Sequence, residues 1–185
     1  MQENESRQQE QLFALHQDEY SSLKAEQASR IGFRDNLLYV TLGVVGGVCA
    51  YAVKKPEYAT ALLLIPWACF ILGWTYLMND RAISAIGRYI RTGLTAQLEQ
   101  DCGVPKGLPF RWENEHRDDD HRVSRKILQL IVDLIAFCCS GFVALIAFFL
   151  LAGHVSWAAL FLCVCDGVML LVLAVQIILY AEVFK

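Results

Sequence analysis

The sequence predicts an all-α membrane protein with four transmembrane helices, a cytoplasmic N-terminal helix, and an amphipathic cytoplasmic helix between spans two and three. Three observations lead there. Of 185 residues, 56% are hydrophobic, which is high for a soluble globular chain. The excess falls in four blocks, each near the ~20 apolar residues that a helix needs to cross a ~30 Å hydrocarbon core. Between those blocks, Lys and Arg cluster in the segments expected on one side of the membrane, nine of them in residues 79–126 and four in the N-terminal segment.

Residues 1–35 are rich in Gln, Glu and Ser and contain no apolar leader stretch. The first apolar block is therefore expected to serve as both targeting signal and anchor. The segment lacks Pro and has no Gly before Gly32, so it reads as a helix running towards span one. Phe13, His16, Tyr20, Leu23 and Gln27 recur at steps of three and four. That stripe fits either packing on the rest of the cytoplasmic domain or a short self-associating coiled coil.

The first transmembrane hairpin, residues 36–78, holds spans Asn36–Val53 and Tyr58–Met78, joined by Lys54-Lys55-Pro56-Glu57. Span one is glycine-rich, and Gly43 and Gly47 form a GxxxG pair, a spacing that lets helix backbones approach closely. Span two carries Pro66, which membrane helices tolerate when neighbours re-satisfy the backbone. The second hairpin, residues 127–185, holds spans Ile127–Leu151 and Trp157–Tyr180 around Ala152-Gly153-His154-Val155-Ser156. Trp67, Trp74, Tyr76, Trp157 and Tyr180 fit an interfacial aromatic belt. The lysine and arginine distribution places both termini and the middle segment in the cytoplasm. Lys54 and Lys55 then face outward, against the nine that the opposite orientation would export.

The middle segment, residues 79–126, begins with Asn79–Gln100, where Ile83, Ile86, Ile90, Leu94 and Leu98 share one helical face. Arg81, Arg88 and Arg91 lie elsewhere on it. This helix reads as an interfacial helix on the inner leaflet, as a binding surface for an anionic ligand such as a nucleotide or oligonucleotide, or as a cytoplasmic continuation of span two packed on its neighbours. Gly103, Pro105, Gly107 and Pro109 then break the chain. The charged run from Phe110 to Arg122 pairs Glu113 with Arg117 and Asp118 with Arg122 at helical spacing, so it reads as a solvated helix. Its acids and His116 and His121 match no metal-ligand spacing, and no metal or cofactor is expected.

Ionisable residues inside a span cost ~2.5–3.5 kcal/mol on insertion scales and are functional candidates by default. Asp133 lies near the cytoplasmic end of span three and Asp166 about halfway along span four. Gln129, Asp133, Ala136, Ser140, Ala144 and Ala147 form a small or polar face on span three, and Ala159, Cys163 and Asp166 form one on span four. These seams predict either a water-filled path lined by the acids in a homo-oligomer, or aspartates acting as packing glue. For Asp133, snorkelling into interfacial water is a further expectation. Six of the seven cysteines lie in the apolar blocks without ligand or disulfide spacing and read as small packing residues. No catalytic residues are assigned: the chain has no phosphate-cradling Gly-rich loop, no HExxH, no GxSxG and no CxxC, so it is not expected to be an enzyme.

The run Gly73-Trp74-Thr75-Tyr76-Leu77-Met78-Asn79-Asp80, followed by Ile86-Gly87-Arg88-Tyr89-Ile90-Arg91 and later by Arg111-Trp112-Glu113, resembles a family of small four-span bacterial integral membrane proteins. In that family a polar N-terminal helix precedes the spans and an Ile-Gly-x-Tyr-Ile-Arg-like motif follows the second. The layout is also similar to membrane effectors of nucleotide-signalled antiphage defence systems. The resemblances imply a bacterial inner membrane location and a ligand-gated homo-oligomer, with a role in ligand sensing for Arg81, Arg88 and Arg91. The expected function is a homo-oligomeric channel-like or membrane-permeabilising protein gated through its cytoplasmic domain. The alternatives are a non-conducting membrane anchor or sensor subunit for a soluble cytoplasmic partner, and a proton-coupled small-solute carrier.

Overall fold

The computed structural model describes residues 2–103, 105, 110 and 122–181, with side chains described from 7 onward except at 122. All regular structure among these residues is helical. α1 spans Gln2–Ala52 and is followed by a 3-10 helix, Pro56–Leu63. α2, Leu64–Tyr89, passes through a π-helical turn, Ile90–Leu94, into α3, Thr95–Cys102. α4, Arg122–Asp133, passes through a second π-helical turn, Leu134–Cys139, into α5, Ser140–Leu151. α6 is Trp157–Tyr180. Four helical stretches among the described residues are long and apolar enough to cross a membrane: Arg7–Ala52, Pro56–Cys102, Val123–Leu151 and Trp157–Tyr180. The charged run at 111–121, with its expected helix and ion pairs, lies outside the described residues.

At two of the expected bounds the helix runs on. The N-terminal helix and span one are a single helix, α1, because the change from polar to apolar composition near Asn36 alters the surroundings a helix suits but not its backbone hydrogen bonds. Span two likewise has no break at Met78, and the chain stays helical from Leu64 to Cys102. It ends at Gly103, whose left-handed φ of 63° suits a residue without a Cβ. Pro66 sits in the first turn of α2, directly after the 3-10 helix, where a missing N–H is tolerated best. Pro56 opens the 3-10 helix itself, with φ preset for a helical start.

The chain divides into two compact units. The first comprises Met1–Gly32 and Asn79–Arg122. Its two long segments run antiparallel: Arg30 meets Asn79, Gln27 meets Ile83, Glu19 meets Tyr89, and His16 meets Asp101. Ile86, Ile90, Leu94 and Leu98 are all buried, so the apolar stripe of 79–100 is covered by the chain itself. This matches the packed continuation of span two rather than an interfacial helix. His16, Tyr20, Leu23 and Gln27 are half-buried against the same unit, with Tyr20 stacked on Phe110 at 4.1 Å. The N-terminal stripe is thus used in packing within the chain, and Phe13, at 48% exposure, is its most open member.

The second unit comprises Phe33–Met78 and Val123–Lys185. One apolar cluster joins Ala52 of α1, Leu62 and Leu63 of the 3-10 helix, Ile65 and Cys69 of α2, Phe148 of α5 and Leu170 of α6. A second joins Leu37, Tyr76, Phe137, Leu173 and Ile177. Ser156 caps α6 by accepting the Ala159 N–H, which fixes the turn between α5 and α6. On α6 the inward face reads Cys163, Asp166, Leu170, Leu173 and Ile177, while Val164, Val168, Leu171, Val175 and Ile178 are exposed. A helix apolar on both faces suits an apolar surrounding medium.

Candidate functional site

The polar groups of the seam fall at two levels of the second unit. At the first, the Gln129 side-chain amide donates to Asp133 Oδ1 at 2.8 Å and to the Tyr76 hydroxyl at 2.6 Å. The Arg34 guanidinium lies over the Tyr76 ring, 6.0 Å from its centroid. Asp133 is only 8% exposed, so it does not snorkel outward as one expectation had it. Its carboxylate is instead held by a hydrogen bond one turn away, which offsets the cost of burial.

At the second level stands Asp166, with no solvent exposure at all. Among the described residues, neither of its carboxyl oxygens has a hydrogen-bond partner. The Trp67 indole neighbours the carboxyl without a hydrogen bond to it. Cys163, one turn earlier, and Leu170, one turn later, belong to the first apolar cluster. The site is a carboxyl set into hydrocarbon, where polar groups left unpaired are most costly.

The two acids are not brought together. Between their levels, Leu173 packs at Gly73 beside Phe137, and Leu170 packs at Gly141. A Cβ built at Gly141 would lie 2.7 Å from both Leu170 methyl carbons, and one at Gly73 would lie 2.8 Å from a Leu173 methyl. These are the glycines that admit close helix approach in this unit. The expected pair, Gly43 and Gly47, faces outward, where an added Cβ meets no atom within 4 Å. GxxxG spacing marks a flat helix surface but not its partner, and here α1 turns that surface away from its own bundle.

The Ser140 hydroxyl is engaged within its own helix. Its hydroxyl donates to the Ile135 carbonyl at 3.1 Å, five residues back, and its N–H donates to the same oxygen. Thr95 does the same to Ile90, with its hydroxyl at 2.8 Å. Both π turns are therefore closed by a hydroxyl residue that doubles the i–5 contact, a device that sequence reasoning missed. Such turns recur at functional sites in helices.

In the first unit, Arg81 and Arg88 are exposed and Arg91 is half-buried, away from the buried stripe. Beside them the Tyr89 hydroxyl donates to Glu19 at 2.7 Å. That hydrogen bond pushes the Tyr89 pKa up, with smaller contributions from burial and the Glu19 charge. Among the described residues no cluster of three or more His, Cys, Asp or Glu could hold a metal ion. No family model matches the sequence, and no curated protein or solved structure matches it.

Proposed function

We propose that this chain is a four-span membrane protein that forms a homo-oligomeric, channel-like or membrane-permeabilising assembly, gated through the unit built from 1–32 and 79–122. The observation that carries it is Asp166: an acid with no exposure and no hydrogen-bond partner among the described residues. Nothing in packing alone requires such a residue, since leucine would fill the position without the cost of a buried polar group. Its burial between Cys163 and Leu170, which join the cluster shared with α2 and α5, supports a path that opens along the inner seam of each protomer, with the packed bundle as the closed form. Asp133, Gln129 and Tyr76 would form the polar mouth of that path.

The positive-inside rule supports placing both termini and 79–126 in the cytoplasm of a bacterial cell, with the protein in the inner membrane. Labelling Cys102 with a membrane-impermeant maleimide from each side of sealed vesicles checks this: reaction only from the cytoplasmic side is expected. In that orientation Arg81, Arg88 and Arg91 face the compartment that holds nucleotides, and a nucleotide or oligonucleotide is the proposed gating ligand, as in a ligand-controlled antiphage effector. The outward face at Gly43 and Gly47 is the proposed contact between copies. Gly47→Ile should shift the protein towards monomers in crosslinking without lowering its unfolding midpoint, because position 47 is exposed and a Cβ there has no neighbour within 4 Å outside its own helix turn. Unchanged oligomers would place the contact elsewhere.

Ion flux through proteoliposomes tests the central claim. Wild type should conduct, and Asp166→Asn should lose at least tenfold in flux while remaining folded. Absence of flux from oligomeric wild type, with and without nucleotide, would favour a second reading: a membrane anchor or sensor for a soluble partner. One observation favours that reading. Leu12, Phe13 and Leu15 are exposed on α1 within the first unit, where an apolar patch suits a docking protein.

A further inference from the structure

We infer that Asp166 is a proton-binding site, occupied as a neutral carboxylic acid in the closed protein. An ionised carboxylate taken out of water needs a cation or several donors, and without them it neutralises. Among the described residues Asp166 has neither: both oxygens lack hydrogen-bond partners, and the buried polar side chains are Thr41, Asn79, Thr95, Asp133 and Asp166, with no cation among them.

The apolar cluster that holds Cys163 and Leu170, one turn either side of Asp166, also brings thiols: Cys163 on α6 itself, Cys69 from α2 and Cys49 from α1, with the Trp67 indole of α2 a further, uncharged neighbour. The π turn beside α6 adds Cys138 in the neighbouring cluster. From α5 and the 3-10 helix the cluster receives hydrocarbon, such as Phe148 and Leu62. Thiols supply no positive charge, so they cannot hold the carboxylate ionised. A metal cation is also a poor fit. Hard cations take about six to eight oxygen ligands, and among the described residues no group of three or more His, Cys, Asp or Glu could hold a metal ion. A proton alone neutralises this acid without bringing further ligands.

This deepens the channel reading by naming what the acid binds and what opening must do. Water entering the seam would let the proton leave, and loss of the proton would in turn draw water in, so proton release and opening are linked. The carrier of conduction is then controlled by a group that is silent while dry.

The test reads the carboxyl itself, in the full chain reconstituted in lipid, by infrared spectroscopy at neutral pH. A carboxylic C=O stretch is expected in wild type, moved by carboxyl-13C aspartate and absent from Asp166→Asn. Where Asp166→Asn does not fold, Asp166→Glu serves: it keeps a carboxyl, so the band should persist but lose its response to labelled aspartate. A band that survives Asp166→Asn, or an aspartate carboxylate signal in place of the band, overturns the inference. Flux is recorded on the same vesicles. A retained band without flux removes the channel and leaves the proton site standing, whereas flux through protein whose Asp166 is ionised removes the proton site and leaves the channel.

Discussion

Gly73→Ala is expected to destabilise the second unit by about 1–3 kcal/mol, the usual range for inserting a methyl into a packed core. The new Cβ would lie 2.8 Å from a Leu173 methyl, 3.0 Å from Phe137 Cγ and 3.1 Å from Phe137 Cβ. Leu173 and Phe137 have no exposure, so neither has open space to turn into. The Phe137 ring is also held against Tyr76, 5.2 Å between centroids. Phe137→Ala should be destabilising for the opposite reason. Within a bilayer the unfolded reference also lies in hydrocarbon, so the transfer contribution shrinks and the cavity contribution remains. That leaves about 2–3 kcal/mol from the void. Combining the two substitutions should cost less than the sum, by about 0.5–3 kcal/mol, because removing the ring relieves part of the clash at Gly73. Unfolding midpoints in detergent titrations of the two single variants and the double variant give the cycle. Strict additivity would mean that Gly73 is not the point of contact between α2 and the π turn.

Much of the helical layout was legible because long apolar runs admit few interpretations. Span four has the expected bounds, Trp157–Tyr180, since Gly153 and Ser156 punctuate it and Ser156 supplies a cap. The stripe of Ile83, Ile86, Ile90, Leu94 and Leu98 was legible from its period, and all but the half-buried Ile83 are buried. The sequence left open what covers the stripe, because periodicity reports a buried face and not its partner. Asp133 was visible as a costly residue, but its network depends on Tyr76, 53 residues from Gln129, and no local pattern reveals that pairing. The π turns were missed for a related reason: their mark is one Thr or Ser placed five residues after an ordinary Ile. Gly73 and Gly141 were not singled out as packing glycines because each stands alone in sequence, fitted to a side chain from α6. Asp166 was the exception. Its position in the middle of an apolar run was enough to single it out, though its lack of partners needed the fold.

Asn79→Leu is expected to loosen the first unit by about 1.5–3 kcal/mol, the range for hydrogen bonds that involve a charged group. Asn79 is buried and makes a two-way contact with Arg30: its amide donates to the Arg30 carbonyl at 2.6 Å, and the guanidinium donates to its Oδ1 at 3.3 Å. Leucine removes both and offers the Arg30 carbonyl no donor. The guanidinium is not stranded, since Glu26 stays paired with it one turn back at 2.6 Å, so the cost should fall short of that for an orphaned buried charge. The loss should therefore appear as local opening rather than global unfolding. Amide exchange in 16–30 and 79–98 should accelerate roughly 10- to 100-fold, each 1.4 kcal/mol being a factor of ten, while exchange in α5 and α6 stays as in wild type. If this unit controls the seam, the same variant should change the nucleotide dependence of flux while Asp166 keeps its proton. Faster exchange with unaltered gating would mean that the contact serves stability alone and that the signal enters the membrane unit by another route.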